Sequence, residues 1–226
     1  VSAKHWSAEW FADGIEVPEP FYSDDRVAIY CGDSFLMKTK PGAYDLLVTD
    51  PPYGMKFRSN HRIIKHAEIA NDDALPVEFV MEAVRGAARA SYVFMRWDNL
   101  HEMPKPKSCL AWVKDNWSMG DLEHEHGRQW EACLFYPAEK HEFRKRIPDV
   151  VTAPRTGNSL HPTQKPVPLI GKLLDANVCG SVFDPFMGSG TTLVAAAERG
   201  IRAVGIELNR DYCQIAADRL KQGFLL

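Results

Sequence analysis

Five cysteines in 226 residues, at positions 31, 109, 133, 179 and 213, are few and scattered. No two have metal-ligand spacing, so they read as free thiols of a reducing compartment, not as a disulfide scaffold or a zinc module. His124-Glu125-His126 has no companion His or Cys pair at ligand spacing and reads as a polar loop without a metal. No apolar run approaches the roughly 20 residues that cross a bilayer. The opening VSAKHWSAEWFADG has no long apolar core, so no signal peptide is read there. A cytoplasmic protein without a membrane partner is expected. A Gly-Lys-Ser/Thr phosphate loop is missing, which argues against ATP hydrolysis. Internal repeats and low-complexity segments are missing too. The chain also lacks bulk positive charge, because 27 Lys and Arg against 30 Asp and Glu leave −3. Nucleic-acid binding would therefore need local basic patches.

What is present fits one α/β domain. Hydrophobic residues make up 45% and charged residues 25%, an ordinary globular balance. Apolar runs predict strands at 27–30, 44–49, 92–97, 109–113, 131–136, 181–183 and 203–206. Helical spacing predicts helices over 77–90 behind Pro76, over 166–176, over 191–199 before Gly200, and from the cap Asn209 to Gly223. Strands alternating with helices predict a mostly parallel sheet covered on both faces. The run 109–136 has little helical signal between its strands and reads as an antiparallel pair at one edge.

Two stretches carry chemistry. In VTDPPYGMKF, residues 48 to 57, an apolar run stops at an acid, two prolines and an aromatic ring. Adjacent prolines fix φ and remove two N–H donors, so the strand must end there. In FDPFMGSGTTLVAAAERGIRAVGIEL, residues 183 to 208, the order is strand, Gly-rich turn, helix, strand, acid. A Gly-rich turn lets backbone approach a ligand, and an acid about 20 residues on can hold a ribose diol. Glu207 has that place. Asp184 in the turn suits an ammonium better than a phosphate. A ligand with an α-amino group, a carboxylate and a ribose fits, and S-adenosylmethionine is one. Two basic stretches stand apart: Lys56 to His66, which contains Arg58, Arg62 and Lys65 and no acid, and Arg144-Lys145-Arg146.

Together these motifs resemble the amino-methyltransferases of DNA, which move a methyl group from S-adenosylmethionine to an exocyclic amine of adenine or cytosine. The resemblance rests on Asp50-Pro51-Pro52-Tyr53, on Phe183-Asp184-Pro185-Phe186-Met187-Gly188-Ser189-Gly190, on His161-Pro162-Thr163-Gln164-Lys165-Pro166 and on Gly32-Asp33. It spans about residues 27 to 220. Because Asp-Pro-Pro-Tyr precedes the cofactor turn, the order resembles the permuted β group. The implied fold is Rossmann-like, a single domain with a catalytic half (27–136), a short target-recognition segment (137–160) and a cofactor half (161–223).

The resemblance implies roles for particular residues. Asp50 and the Pro51 carbonyl would accept the two amine N–H groups, Pro52 would hold the turn, and Tyr53 would stack on a flipped base. Asp33 would sit by the adenine of the cofactor, and Glu207 by the ribose. Asp50, Asp184, Phe186, Gly188, Gly190 and Thr191 would line the cofactor site. Thr163 and Lys165 would lie near the methionine end, with Lys165 pairing its carboxylate. Lys56, Arg58, Arg62, Lys65, Trp112, Lys114, Arg144, Lys145 and Arg146 would face duplex DNA, with the run 56–66 as a loop closing over the backbone. Trp112 is equally suited to core packing.

An Asp at position 50 resembles the N6-adenine form, and a Ser there would resemble the N4-cytosine form. The short segment 137–160 predicts a short or relaxed target sequence and leans towards a solitary, phage-like or regulatory enzyme. The resemblance also implies a second copy as a candidate partner, since members of this group often form homodimers. Nothing in the sequence tells whether a restriction enzyme accompanies the chain. The rival readings are an N4-cytosine enzyme, an RNA base methyltransferase and a non-catalytic nucleic-acid-binding subunit of the same fold.

Overall fold

The computed structural model describes residues 5–53, 74–118, 123–124, 126–155 and 164–223, and the elements below are those of the described residues. In chain order they are β1 (Tyr22–Ser23), β2 (Val27–Cys31), β3 (Tyr44–Thr49), α1 (Val77–Gly86), β4 (Ala87–Met95), β5 (Ser108–Ser118), β6 (Arg128–Pro137) and β7 (Val150–Thr152). Then follow α2 (Val167–Ala176), β8 (Ser181–Asp184), α3 (Thr191–Ala197), β9 (Arg202–Glu207) and α4 (Arg210–Gly223). The strands form one sheet in the order β1-β2-β9-β8-β3-β4-β6-β5-β7. The five strands from β2 to β4 are parallel neighbours. β6 runs antiparallel to both β4 and β5.

Alternation of side chains sorts the sheet into two cores. Val27, Ile29, Leu46, Val48, Tyr92 and Phe94 face α2, α3 and α4 through Leu169, Leu173, Leu193, Ala216 and Leu220. Ala28, Tyr30, Leu47, Val93 and Met95 face the other way, onto Val80 and Ala83 of α1 and onto Trp10 and Phe11. Apolar runs such as Val27 to Tyr30 are thus buried on both faces, which is why they lack polar alternation. Truncating a residue like Leu169 or Leu173 to Ala should cost about 2–5 kcal/mol.

The helix expected over 77–90 ends at Gly86, and Ala87 is already extended as the first residue of β4. Gly86 lies against the Tyr44 ring, where an added Cβ would meet Tyr44 Oη at 2.7 Å. Tyr44 Oη also donates to Ala83 O at 2.7 Å. Pairing of Ala87 with Tyr44 then begins the parallel ladder. Tertiary pairing overrides the helix propensity of Ala-Ala-Arg-Ala. A second difference lies at the edge expected to be an antiparallel pair. The outermost strand there is β7, from the segment 137–160, and it runs parallel to β5. Its three residues carry little sequence signal. At the last helix Asn209 caps as expected, its Oδ1 accepting from Asp211 N at 2.8 Å.

Candidate active site

In an open α/β sheet a crevice forms at the carboxyl ends of two adjacent parallel strands whose connections leave in opposite directions. Here those strands are β8 and β3. The chain leaves β8 through α3 to β9 on one side, and leaves β3 through α1 to β4 on the other. Asp184 closes β8, and Asp50 is the first residue after β3. Thr49 Oγ1 donates to Asp184 Oδ1 at 3.0 Å, tying the two strand ends across the crevice. The two motifs, far apart in sequence, meet there.

On the β8–β9 side the turn is built by glycine. Gly188 and Gly190 have φ of 51° and 77°, left-handed values that side chains with a Cβ rarely adopt. A Cβ on Gly190 would also meet Ala216 Cβ at 2.6 Å, so α4 presses directly on the turn. Asp184 is buried and braces the turn, with its Oδ1 also accepting from Phe186 N at 3.2 Å. Burial pushes its carboxyl up to about 7 although hydrogen bonds from Thr192, Thr49 and the Phe186 N–H pull the other way. Glu207 ends β9 half-buried, and its carboxylate accepts from Gly188 N at 3.1 Å and Asn209 N at 2.8 Å. Burial raises this carboxyl as well. Arg219 of α4 donates to Ser189 O at 2.6 Å and to Thr191 Oγ1 at 3.3 Å. Thr191 is therefore a buried part of the turn's frame.

Asp33 follows β2 and accepts from Phe35 N at 3.0 Å. Gly32 N donates to Glu207 O at 3.0 Å, which sets the Asp33 loop beside the end of β9. Phe35, Phe79 and Phe186 form an edge-to-face group, with centroids 4.8 Å (Phe35–Phe79), 5.6 Å (Phe79–Phe186) and 6.1 Å (Phe35–Phe186) apart. Half-buried carboxylates next to an aromatic wall and a glycine turn suit a ribosyl purine that carries a cationic methionine. The residues present fit S-adenosylmethionine.

On the β3 side Asp50 is 17% exposed at its side chain and held by side chains. Tyr53 Oη donates to its Oδ1, and Lys165 Nζ donates to its Oδ2. Burial pushes the Asp50 carboxyl up, the Lys165 ammonium pulls it back, and the net direction is upward. Burial alone would lower Lys165, but Asp50 and Glu131 outweigh it and keep it charged. Glu131 of β6 lies 3.3 Å from Lys165 through Oε2, and its Oε1 accepts from Lys114 Nζ at 2.5 Å. Breaking a buried pair of this kind costs about 3–5 kcal/mol. Asn99 Nδ2 donates to Tyr53 O at 3.2 Å and fixes the motif's last residue.

Several expected residues take other places. Lys165 pairs with Asp50 and Glu131, on the catalytic side of the crevice. The Tyr53 hydroxyl is bound to Asp50. Trp112 is 3% exposed and its Nε1 donates to Ala153 O at 2.9 Å, which is core packing and not a face for DNA. Lys114 is buried against Glu131 and does not present itself to a phosphate. Arg144, Lys145 and Arg146 are exposed, but Lys145 N donates to Ala176 O, ahead of the start of β8. They lie towards the opposite end of the strands from Asp50. Lys56, Arg58, Arg62, Lys65 and Thr163 lie outside the described residues. The sequence reading missed Glu131, Asn99, Thr49, Arg219, Phe35 and Phe79. Of these only Thr49 lies in a quoted stretch, and only the fold shows what it or the others touch.

A sheet of this order with a glycine turn and acids at its switch point is a site for a nucleotide-type cofactor. Residues 77–218 match the N6/N4 methyltransferase family model, described as DNA methylase. The chain belongs to this family, and its cofactor is S-adenosyl-L-methionine. It is a DNA methyltransferase. It is 30% identical over 203 residues to YubD of Escherichia coli (strain K12), which carries the name methylase, covering 82% of this chain and 86% of that one. It is 24% identical to the Type II methyltransferase M2.LlaDCHI of Lactococcus lactis subsp. cremoris, covering 95% and 97%. Among solved structures, the M1.HpyAVI–SAM complex matches with a TM-score of 0.63 and 22% identity over 85% of this chain and 99% of that chain. The cytosine-N4-specific PvuII DNA methyltransferase matches at 0.65 with 15% identity over 91% and 92%. These two establish likeness of fold. Among the described residues no helix is long and apolar enough to cross a membrane.

Proposed function

We propose that this enzyme methylates the N6 amine of adenine in duplex DNA, with the base turned out of the helix into the crevice between β8 and β3. The observation that carries the reading is Asp50, a desolvated carboxylate at the end of β3 whose two oxygens are aimed by Tyr53 and Lys165. S-adenosylmethionine supplies an electrophilic methyl group on a sulfonium. The amine lone pair is delocalised into the ring and is a poor nucleophile. An N–H group accepted by Asp50, and the other by the Pro51 carbonyl, favours a pyramidal nitrogen with its lone pair free. The N–C bond would form as the methyl leaves sulfur with the bonding pair staying on sulfur, and the proton then lost from the cationic nitrogen would pass to water. A carboxylate placed where that charge develops stabilises the transition state. Base chemistry of this kind requires the nucleotide out of the stack. Adenine is favoured over cytosine by Asp at position 50.

The test is methyl transfer from labelled S-adenosylmethionine to unmethylated duplex DNA, with nucleosides identified by mass spectrometry. N6-methyladenine, lost in Asp50→Ala, supports the reading. N4-methylcytosine would keep the mechanism and replace the base. Methylation of RNA in preference to DNA would overturn the substrate. We include a homodimer in the proposal because the segment 137–160 is short for target recognition; light scattering reads it, and a monomer active on DNA would remove it.

A further inference from the structure

A cluster that neither motif accounts for runs inward from Asp50. Four charges alternate in sign: Asp50 after β3, Lys165 ahead of α2, Glu131 in β6 and Lys114 in β5. Their side chains are 17%, 7%, 22% and 7% exposed. Lys165 touches Asp50 Oδ2 and lies 3.3 Å from Glu131 Oε2. Glu131 Oε1 is bound by Lys114 at 2.5 Å, and its buried Oε2 has no hydrogen-bond partner beyond that ion contact.

We infer that Glu131 is a positioning residue for methyl transfer, acting through Lys165 to keep Asp50 a strong acceptor. The physical need comes from the reaction itself. Positive charge develops on the amine nitrogen next to Asp50. A lysine ammonium touching that carboxylate opposes this charge and neutralises the acceptor. Without any cation, burial would protonate Asp50. A lysine shared between two carboxylates resolves the conflict: it keeps Asp50 ionised while part of its field is spent on Glu131. Lys114 in turn keeps Glu131 ionised from the far side, out of contact with Asp50. Burial makes each interaction stronger than its surface counterpart.

The titratable groups that face this cluster come from every element around it. Tyr53 comes from the loop after β3, Cys133 and Glu131 from β6, Asp184 from β8 and Lys114 from β5. Glu131 and Lys114 have opposite charge at successive steps from Asp50, which gives the inference a signature that plain structural damage lacks.

The inference rests on Asp50 as the amine acceptor. The experiment is single-turnover methyl transfer as a function of pH in the full-length enzyme, with cofactor affinity by calorimetry. Glu131→Gln should slow transfer about tenfold, less than the roughly 100-fold cost of losing a direct contact. It should leave cofactor affinity within about twofold and move the acid limb of the profile to lower pH, because a negative neighbour of Asp50 is gone. Lys114→Gln should move the same limb to higher pH, because Glu131 is then less compensated. Glu131→Asp should bring the limb back towards the parent position. Limbs that stay in place, or move in the same direction in the Gln variants, would overturn the inference. Should Glu131→Gln fail to fold, the direction seen in Lys114→Gln decides. An Asp50→Ala enzyme that still transfers methyl would instead remove the underlying reading, so the two failures are distinguishable.

Discussion

The acids on the two sides of the crevice are held by different means. On the β8–β9 side, Asp184 and Glu207 are bound mainly by backbone N–H groups and hydroxyls, from Phe186, Gly188, Asn209 and Thr49. On the β3 side, Asp50 is bound by a phenol and an ammonium, and the ammonium by a second acid. Backbone donors are fixed by the fold and carry no net charge, so they hold shape. Side-chain charges can be removed singly, so they set reactivity. The cofactor side should thus fail through geometry and the catalytic side through charge.

Mutations can break this comparison. The largest effect is expected for Asp50→Ala, a loss of transfer of at least about 100-fold with cofactor affinity retained. If cofactor affinity collapsed instead, Asp50 would belong to the geometric side. Next is Gly190→Ala, which meets both the φ of 77° and Ala216 Cβ at 2.6 Å. It should lower stability by about 1–3 kcal/mol in denaturant unfolding and weaken cofactor binding. Adding Ala216→Gly should recover the part due to overlap and leave the part due to backbone strain.

Asn177 is a control on the opposite end of the strands. It is buried, donates to Tyr92 Oη at 2.9 Å and Leu173 O at 2.7 Å, and contacts His141 Nε2 at 2.9 Å. Asn177→Ala should cost about 1–3 kcal/mol for the partners left unpaired and leave the single-turnover rate unchanged. Asp184 should add a pH dependence to stability. Its carboxyl rises on folding from 3.8 to about 7, so the native state holds a proton that the unfolded chain has released. The contribution to stability is full below about pH 4 and is lost as pH rises to about 7. Asp184→Asn should flatten this slope in thermal unfolding scans. The smallest change is expected at the exposed pair Lys38–Glu82, 3.1 Å apart, where Lys38→Ala should shift stability by less than about 1 kcal/mol.

The same contrast explains what the sequence made legible. The glycine turn and its acids are local in sequence, because backbone donors come from residues close to the acids they bind or from the next strand. Phe183 to Gly190 and Glu207 could therefore be read together. The Asp-Pro-Pro-Tyr stop was legible because two prolines can do little else after a buried strand. Glu131 was not, since one acid within a strand has no local signature and its meaning depends on Lys165, 34 residues later in the numbering. Lys114 misled for the same reason, while Trp112 takes the core place the sequence also allowed. A Trp and a Lys at alternate positions of a strand share a face, and only the neighbouring strand tells whether that face is wet. The helix over 77–90 failed where Gly86 packs on Tyr44, a contact between residues 42 positions apart.

The interleaving of the sheet also bears on how the chain is made. β2 and β3 are close in sequence, yet β8 and β9 stand between them. β2 therefore cannot join the rest of the parallel sheet until β9, residues 202–207, is available. A nascent chain stalled before residue 181 has β1 beside β2 and β4 beside β3, but the inner edges of β2 and β3, apolar on both faces, stay open. Such late, long-range closure slows folding and leaves an aggregation-prone chain on the ribosome. Limited proteolysis of stalled chains should show cleavage within 27–31 until β9 has emerged, with protection there appearing only when β2 gains its inner neighbour.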